Sequence, residues 1–404
     1  MIYVAVLGYG TVGSGVVEVI EKNKDMVNKK AAEQLEIKYI LDLRDFPGDP
    51  CEQKVIHDMN TILEDPEVSI ICETMGGVKP AYDYTRAALQ KGKSVCTSNK
   101  ELVAAHGPEL LQIAREHGCN YLFEASVGGG IPIIRPLNYS LTAEKLEAIT
   151  GILNGTTNYI LTKMEKEGAD FAATLKKAQE KGYAERNPEA DIEGYDACRK
   201  IAILSSLMTG QNVSYENIYT EGITGITADD FVYARAAGKS IKLLAMSRDT
   251  PEGTLAMVSP CMIGEDNPLY MVSGVFNAVC VRGNMLGDSM YYGKGAGKLP
   301  TASAVVSDVV DCARHQGRTI MCFWDREEAK LADIGEISRG FFVRARGDAA
   351  AEVEVAFPGA ERIETAEPRQ DCGYFIPPMK EKEFAARYGA LGDKVLGRIR
   401  LEMA

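Results

Sequence analysis

The sequence predicts an α/β protein: a Rossmann-type parallel sheet, then an α+β catalytic region, then a small α+β segment at the C-terminal end. Three observations carry this. Residues 2–124 alternate short apolar runs with amphipathic stretches through short turns, the rhythm of a doubly wound sheet. The pattern Gly8-x-Gly10-x-x-Gly13 sits between the first apolar run and the first helical one. Beyond about residue 135 longer amphipathic helices mix with strands, and after about 335 Arg-rich strand patterns appear.

The elements follow in order. Ile2–Leu7 reads as a buried strand, and Val16, Val17, Val19 and Ile20 mark a helix ending near Asn28. Ile37–Asp42 and Val68–Glu73 read as the next clear strands, with a turn at Gly76-Gly77. A helix over Pro80–Gln90 leads to the strand Ser94–Thr97. A helix from about Glu101 to His117 follows, interrupted at Gly107-Pro108, where Pro removes a donor. Asn120–Glu124 reads as a strand. Then come helices near 157–167, 170–181, 195–209 and 228–238, and strands near 146–153, 240–247, 254–263 and 271–283. Tyr291–Gly297 is read as a Gly-rich turn before a helix starting near Thr301. The last segment is read as strands at 341–346 and 396–401, a strand-like run Glu352–Phe357, and a helix near 380–390.

Bulk properties exclude several classes. At 404 residues the chain predicts two or three domains, given about 150 residues per domain. The net charge of −12 argues against nucleic-acid and anionic-membrane partners. No apolar run is long enough to span a bilayer and no leader pattern is read, so a cytoplasmic protein is expected. The ten cysteines show no C-x-x-C spacing and read as reduced, buried thiols. Four histidines at no ligand spacing make zinc an unlikely partner and shift acid–base work to Lys, Asp and Glu.

The glycine pattern, in its strand–helix setting, reads as a dinucleotide cradle. Gly8 permits the turn, Gly10 admits the pyrophosphate, and Gly13 lets helix and strand close. An acid at the exit of the second strand suits the ribose of NAD; an Arg suits the 2′-phosphate of NADP. Asp42 and Arg44 both lie there, and Arg44 tips the expectation to NADP. Thr97-Ser98-Asn99-Lys100-Glu101 ends a parallel strand, where ligands bind, so Lys100 is expected at the site. Glu124 followed by Gly128-Gly129-Gly130 offers oxygens to a hard cation, or else a sharp inter-domain bend.

The most informative stretch is Glu185 to Lys200. Pro188 and Gly194 break its first half, so Glu185 and Asp191 are read on a loop. From Asp196 a helix is predicted, which places Asp196 and Lys200 four apart on one face. Such a pair is ordinarily exposed and contributes a few tenths of a kcal/mol. At the edge of the apolar Ile201-Ala202-Ile203-Leu204, in a chain with a dinucleotide fingerprint, it suits a site that binds an amino acid and moves a proton.

Together these segments resemble homoserine dehydrogenase. The matching runs are Leu7–Gly13, Ser98–Ala104, Glu124–Pro132, Gly151–Leu161, Asp191–Lys200 and Gly293–Gly297 with Pro300–Val305, in family order across roughly the first 320 residues. The resemblance implies reversible reduction of L-aspartate 4-semialdehyde to L-homoserine with NADP or NAD, on the route to threonine and methionine. It implies Lys200 as proton donor, with Lys100 and Asp196 also catalytic. Glu185, Asp191, Asp196 and Thr156 would hold the substrate. Gly8, Gly10, Thr11, Val12, Gly13, Arg44, Thr74, Lys100, Gly182 and Gly297 would hold the cofactor. Glu124 with Val127, Gly129 and Ile131 would take a monovalent cation, Na or K. It implies a dinucleotide domain over 1–135, completed by about 293–320, a substrate domain over 136–292, and a homodimer or higher homo-oligomer.

Two departures stand out. Glu101 follows Lys100 where the family more often has a small residue. Residues 335–404 lack the Asp-x-Pro-Gly start of an effector-binding ACT domain and read as a clipped, diverged relative, so threonine inhibition is expected to be weak or absent. Two other readings stay open: an amino-acid- or nucleotide-binding regulator without turnover, which Lys100, Glu185, Asp196 and Lys200 argue against, and another NAD(P)-dependent amino-acid dehydrogenase.

Overall fold

The computed structural model describes residues 1–402. In chain order the first elements are β1 (Ile2–Leu7), α1 (Thr11–Lys22), α2 (Lys24–Ala31), β2 (Leu35–Leu41), β3 (Val55–Ile56), α3 (Met59–Glu64), β4 (Val68–Glu73), α4 (Ala81–Gln90), β5 (Ser94–Thr97), α5 (Lys100–Glu116) and β6 (Tyr121–Leu122). Next come β7 (Leu146–Ile152), α6 (Gly155–Glu167), α7 (Phe171–Glu180), α8 (Glu189–Ile192), α9 (Tyr195–Thr209), β8 (Tyr219–Thr220), α10 (Ala228–Ala236), β9 (Lys239–Thr250), β10 (Gly253–Gly264), β11 (Phe276–Gly283), β12 (Gly287–Lys294) and α11 (Lys298–Arg314). The last are β13 (Ser338–Arg346), α12 (Ala350–Ala356), β14 (Glu361–Ile363), β15 (Asp371–Lys380), α13 (Glu381–Ala390) and β16 (Val395–Leu401). The chain divides into two compact units. One comprises residues 1–144, 202–215 and 293–329; the other comprises 145–201, 216–292 and the chain from 330 onward.

The first unit holds a six-stranded parallel sheet in the order β3-β2-β1-β4-β5-β6. Val4, Val6, Ile70 and Cys72 are fully buried, as strands covered on both faces require. Helix α11 packs on α1 at Gly15, where a Cβ would lie 2.9 Å from the Ala302 Cβ. Strand order reverses between β1 and β4, the switch point at whose carboxyl ends such sheets bind ligands.

Several local expectations change here. The helix read through Asn28 is two, because Asn23 leaves helical geometry (ψ 21°) between α1 and α2. Helix α5 runs through Gly107-Pro108 unbroken. The Trp324 ring packs so closely on Gly107 that a Cβ there would meet it at 2.6 Å, and tertiary packing overrides the local cost of proline. Of Asn120–Glu124 only Tyr121–Leu122 is strand; Glu124 already belongs to a turn, with its N–H donating to Asp308 at 3.0 Å.

The second unit is built on a mixed sheet in the order β12-β11-β7-β9-β10-β16-β13-β15-β14, with β8 also on β10. Helices α6 and α10 pack on β9. The strand read over 271–283 begins only at Phe276, and Tyr291–Lys294, read as turn, belongs to β12.

From β13 the chain runs β-α-β-β-α-β, a ferredoxin-like order. Its β16 extends the larger sheet by pairing with β10 in parallel, Cys261 beside Arg400 and Met262 beside Leu401. The run Glu352–Phe357, read as strand-like, is instead helix α12 closed by Phe357. Val353 and Phe357, four apart, are buried, while Val355 is 81% exposed; the Glu/Val alternation imitates a strand period that burial does not follow. The Arg-rich strands are explained by buried pairs: Arg400 forks onto Glu381 at 2.9 and 2.9 Å, and Arg344 donates to Asp230 at 2.8 Å. Phe384 sits at the centre, stacked on Phe341 with centroids 3.6 Å apart and near Phe357 at 5.3 Å. Phe384→Ala is expected to remove about 3–5 kcal/mol of unfolding free energy, read by denaturant titration followed by circular dichroism. A loss below about 1 kcal/mol, the scale of an ordinary surface change, would show that this cluster is not the core of the segment.

Candidate active site

In the first unit the fingerprint loop leaves β1 at Gly8, whose φ of +87° favours glycine. A Cβ on Gly13 would lie 1.9 Å from the Gly8 carbonyl oxygen, so only glycine lets α1 start so close to β1. Around a Cβ on Gly10 nothing lies within 4 Å, which leaves the loop face open where a pyrophosphate needs room. Thr11 and Val12 open α1, and its free N–H groups point the positive dipole end at that face. The Thr74 hydroxyl, at 2.9 Å from both the Leu7 and Gly8 carbonyl oxygens, ties the turn after β4 to the loop. These residues fit a dinucleotide.

At the exit of β2 the Asp42 carboxylate accepts from the Tyr9 N–H at 2.7 Å, and from Arg44 Nε and Nη2 at 2.9 and 3.0 Å. The Arg44 guanidinium holds the Asp42 carboxyl well below its usual range. Arg44 also stands over the Phe46 ring at 5.1 Å. Its side chain is 62% exposed, so this fork is held weakly and can open toward an anion.

Lys100 is the first residue of α5, half-buried, behind the N-cap Asn99, whose Oδ1 accepts from Leu102 N at 3.1 Å. Gly297 caps α11 at a φ of +124°.

Glu124 is buried. Its carboxylate accepts from the N–H groups of Ile133, Ile134 and Arg135 at 2.6, 2.9 and 2.7 Å. Arg135 in turn pairs with Asp308 and, at 2.8 Å, Asp311; burial pushes the Asp308 carboxyl up to about 8. The turn Gly128–Ile131 is tight: a Cβ on Gly128 would lie 2.3 Å from the Ile131 carbonyl oxygen, and one on Gly129 2.3 Å from that of Gly295. A hard monovalent cation needs several oxygens turned to one point, and here the Glu124 carboxylate is engaged by three main-chain donors.

In the second unit the Asp196–Lys200 pair is buried, at 7% and 9% exposure. Lys200 Nζ donates to Asp196 Oδ2 at 2.7 Å and to the Leu153 carbonyl oxygen at 2.7 Å. Asn154 Nδ2 donates to Asp196 Oδ2 at 2.9 Å and to Asp191 Oδ1 at 2.7 Å, while its Oδ1 caps α6 through Thr157 N at 2.9 Å. Burial raises the Asp191 pKa; its bond to Asn154 opposes that. Thr156 donates to the Tyr183 carbonyl oxygen at 2.6 Å.

Lys200, Asp196, Asp191 and Thr156 thus share one cluster. Glu185 is exposed on the turn before α8, and among the described residues no hydrogen bond joins its carboxylate to that cluster. Gly182, with φ +71°, lies on the same exposed turn. Asn154 was not singled out as a site residue, though its place before Gly155-Thr156-Thr157 is the signature of an N-cap. Arg135 and Asp308 left no local signal, being 173 residues apart.

A glycine fingerprint at the switch point of a parallel sheet, with a buried ammonium–carboxylate pair in the second unit, defines an NAD(P)-dependent oxidoreductase. Residues 132–310 match the family model described as homoserine dehydrogenase, and residues 8–124 match that of the homoserine dehydrogenase NAD-binding domain. A homoserine dehydrogenase of Synechocystis is 44% identical over 316 residues, 76% of this chain and 72% of the relative; one of Bacillus subtilis is 41% identical over 313, 76% and 72%. The crystal structure of a homoserine dehydrogenase from Thiobacillus denitrificans superposes with a TM-score of 0.91 at 35% identity, covering 100% of this chain and 98% of that one. A hyperthermophilic archaeal homoserine dehydrogenase in complex with NADPH gives 0.65 at 28%, covering 77% and 97%. The chain belongs to the homoserine dehydrogenase family. It interconverts L-aspartate 4-semialdehyde and L-homoserine with NAD(P), in threonine and methionine biosynthesis.

Freed from Arg44, the Asp42 carboxylate would face a ribose hydroxyl rather than a phosphate. Arg44→Ala is therefore expected to shift the ratio of kcat/KM for NADP over NAD downward by about tenfold, the equivalent of one charge-assisted hydrogen bond. Steady-state assays with both cofactors check it; an unmoved ratio would mean that the preference is set elsewhere.

Proposed function

We propose that Lys200 is the proton donor to the substrate carbonyl oxygen in aldehyde reduction, and the acceptor of the hydroxyl proton in the reverse direction. The observation that carries this is its buried ammonium, with two donors directed at Asp196 and the Leu153 carbonyl. The third remains for a substrate oxygen. A bound nicotinamide supplies the hydride chemistry. Asp196 holds and orients the Lys200 amino group, which sits where it can stabilise the alkoxide as it forms. Asp191 and Glu185 take the substrate ammonium, with Asn154 fixing Asp191. Lys100 works beside the cofactor, which Gly8, Gly10, Thr11, Val12, Gly13, Arg44, Thr74, Gly182 and Gly297 hold. A monovalent cation would be held by the carbonyls of Val127, Gly129 and Ile131 with Glu124.

The enzyme works in the cytoplasm as a homodimer. What supports the dimer is the edge strand β12, where Met290 and Tyr292 are exposed beside Met285 and Leu286, an apolar edge that a monomer would have to protect. Residues 335–404 form a diverged ACT-like module, supported by their β-α-β-β-α-β order. Its loop after β13 carries the exposed Arg346–Asp348 pair and no Pro-Gly turn.

Lys200→Met should cut turnover by about 10²–10⁴-fold and leave cofactor affinity, read by nicotinamide fluorescence, nearly unchanged. Near-parental turnover would sink the assignment. Threonine should inhibit little, since allostery needs a site with differential affinity between two states. Strong inhibition at millimolar threonine, abolished by truncation near residue 335, would show that the module binds it after all.

A further inference from the structure

We propose that Glu73 is a positioning residue for this reaction: from the end of β4 its carboxylate locks the turn that presents Lys100. The inference rests on the reading of Lys100 as a residue beside the cofactor. Glu73 is fully enclosed at the carboxyl end of β4, between β1 and β5. A carboxylate ending the otherwise apolar run Val68-Ser69-Ile70-Ile71-Cys72 is costly to bury, so what it holds matters.

It holds two turns at once. Oε1 accepts from the Met75 N–H at 2.8 Å, which fixes the turn after β4. That is the turn whose Thr74 hydroxyl closes on the fingerprint loop at Leu7 and Gly8. Oε2 accepts from the Thr97 hydroxyl at 2.5 Å, and Thr97 Oγ1 accepts from the Asn99 N–H at 2.9 Å. Asn99 then spans both turns: its Nδ2 donates to the Gly77 carbonyl at 2.6 Å and its Oδ1 caps α5 through Leu102 N. Lys100 is the next residue. The chain Glu73–Thr97–Asn99 therefore fixes the start of α5, and with it the origin of the Lys100 side chain, relative to the cofactor loop.

Burial pushes the Glu73 carboxyl up to about 7, against its bonds to Thr97, Met75 and Asn99. The titratable group facing it is Tyr121 on β6, also buried, whose own pKa is raised by burial and by the Glu73 charge. An acid whose pKa rises from 4.5 to about 7 on folding favours the native form below 4.5, and that advantage is lost as the pH rises through 7. Replacing it with a neutral isostere should stabilise the chain at pH 8 relative to pH 5.

The experiment uses the full chain with Glu73→Gln, and Glu73→Asp, which keeps the charge at shorter reach. Hydrogen exchange at the Asn99, Leu102 and Val103 amides should quicken by about tenfold or more in Glu73→Gln, a local opening confined to that turn. The kcat should fall by about 10–100-fold, the scale of a misplaced group, with the KM for homoserine little changed and Glu73→Asp partly restored. In a double-mutant cycle, Glu73→Gln should add almost nothing to Lys100→Met, because both act through the same group. Parental exchange over 99–103, or a full additional loss on the Lys100→Met background, overturns the proposal. So does a melting-temperature difference between Glu73→Gln and the parent that is flat from pH 5 to pH 8. If Glu73→Gln does not fold, Glu73→Asp carries the exchange and cycle measurements. A parent without homoserine turnover would overturn the functional reading instead, and the exchange measurement would still decide this one.

Discussion

An ammonium enclosed to the depth of Lys200 has to be supplied with acceptors, and the second unit is arranged around that need. One comes from its own helix, one turn back at Asp196. The other is the Leu153 carbonyl, released because the chain leaves β7 there to begin α6. Asn154, next along, serves two elements: its oxygen caps α6 while its amide holds Asp196 and Asp191. The end of β7, the start of α6 and the first turn of α9 are thus fixed by one small network. Such a network rigidifies only when every member is satisfied, so the buried ammonium and the local fold share their determinants.

The first unit meets the opposite problem, buried anions, and solves it largely with backbone. Glu124 is held by three consecutive N–H groups and Glu73 by one N–H and a hydroxyl relay. Main-chain donors cannot swing away as a lysine side chain can. These carboxylates therefore act as pins for turns, whereas the exposed, flexible Arg44 on Asp42 remains adjustable.

The parts legible in the sequence were those whose cause is local. The parallel sheet followed from apolar runs of strand length. The fingerprint followed from glycines whose spacing meets a steric demand that the structure bears out at Gly13. The Asp196–Lys200 pair followed from helical period. What escaped depended on partners far away in sequence. Pro108 passes through α5 because Trp324 packs on the neighbouring glycine, and the Arg135–Asp308 pair joins residues with no common motif. The α12 error has the same root: alternating Glu and Val fits either period until Val353 and Phe357 find their aromatic partners.

The C-terminal segment shows how a regular fold can form where local turn signatures are absent. No Pro-Gly turn follows β13, yet β-α-β-β-α-β connectivity forms, because its demands are met elsewhere. Phe341, Phe357 and Phe384 supply the apolar centre. Arg344 and Arg400 are buried, and each is matched by carboxylates on both the segment and the rest of its unit: Asp371 and Asp230 for one, Glu381 and Glu221 for the other. Removing one partner of such a pair strands a buried charge, so the pairs resist piecemeal loss. With β16 joined to β10 in parallel, the segment is bound by sheet hydrogen bonds and charge together. That attachment does not involve the loop after β13, so the segment stays on its sheet whatever that loop's sequence.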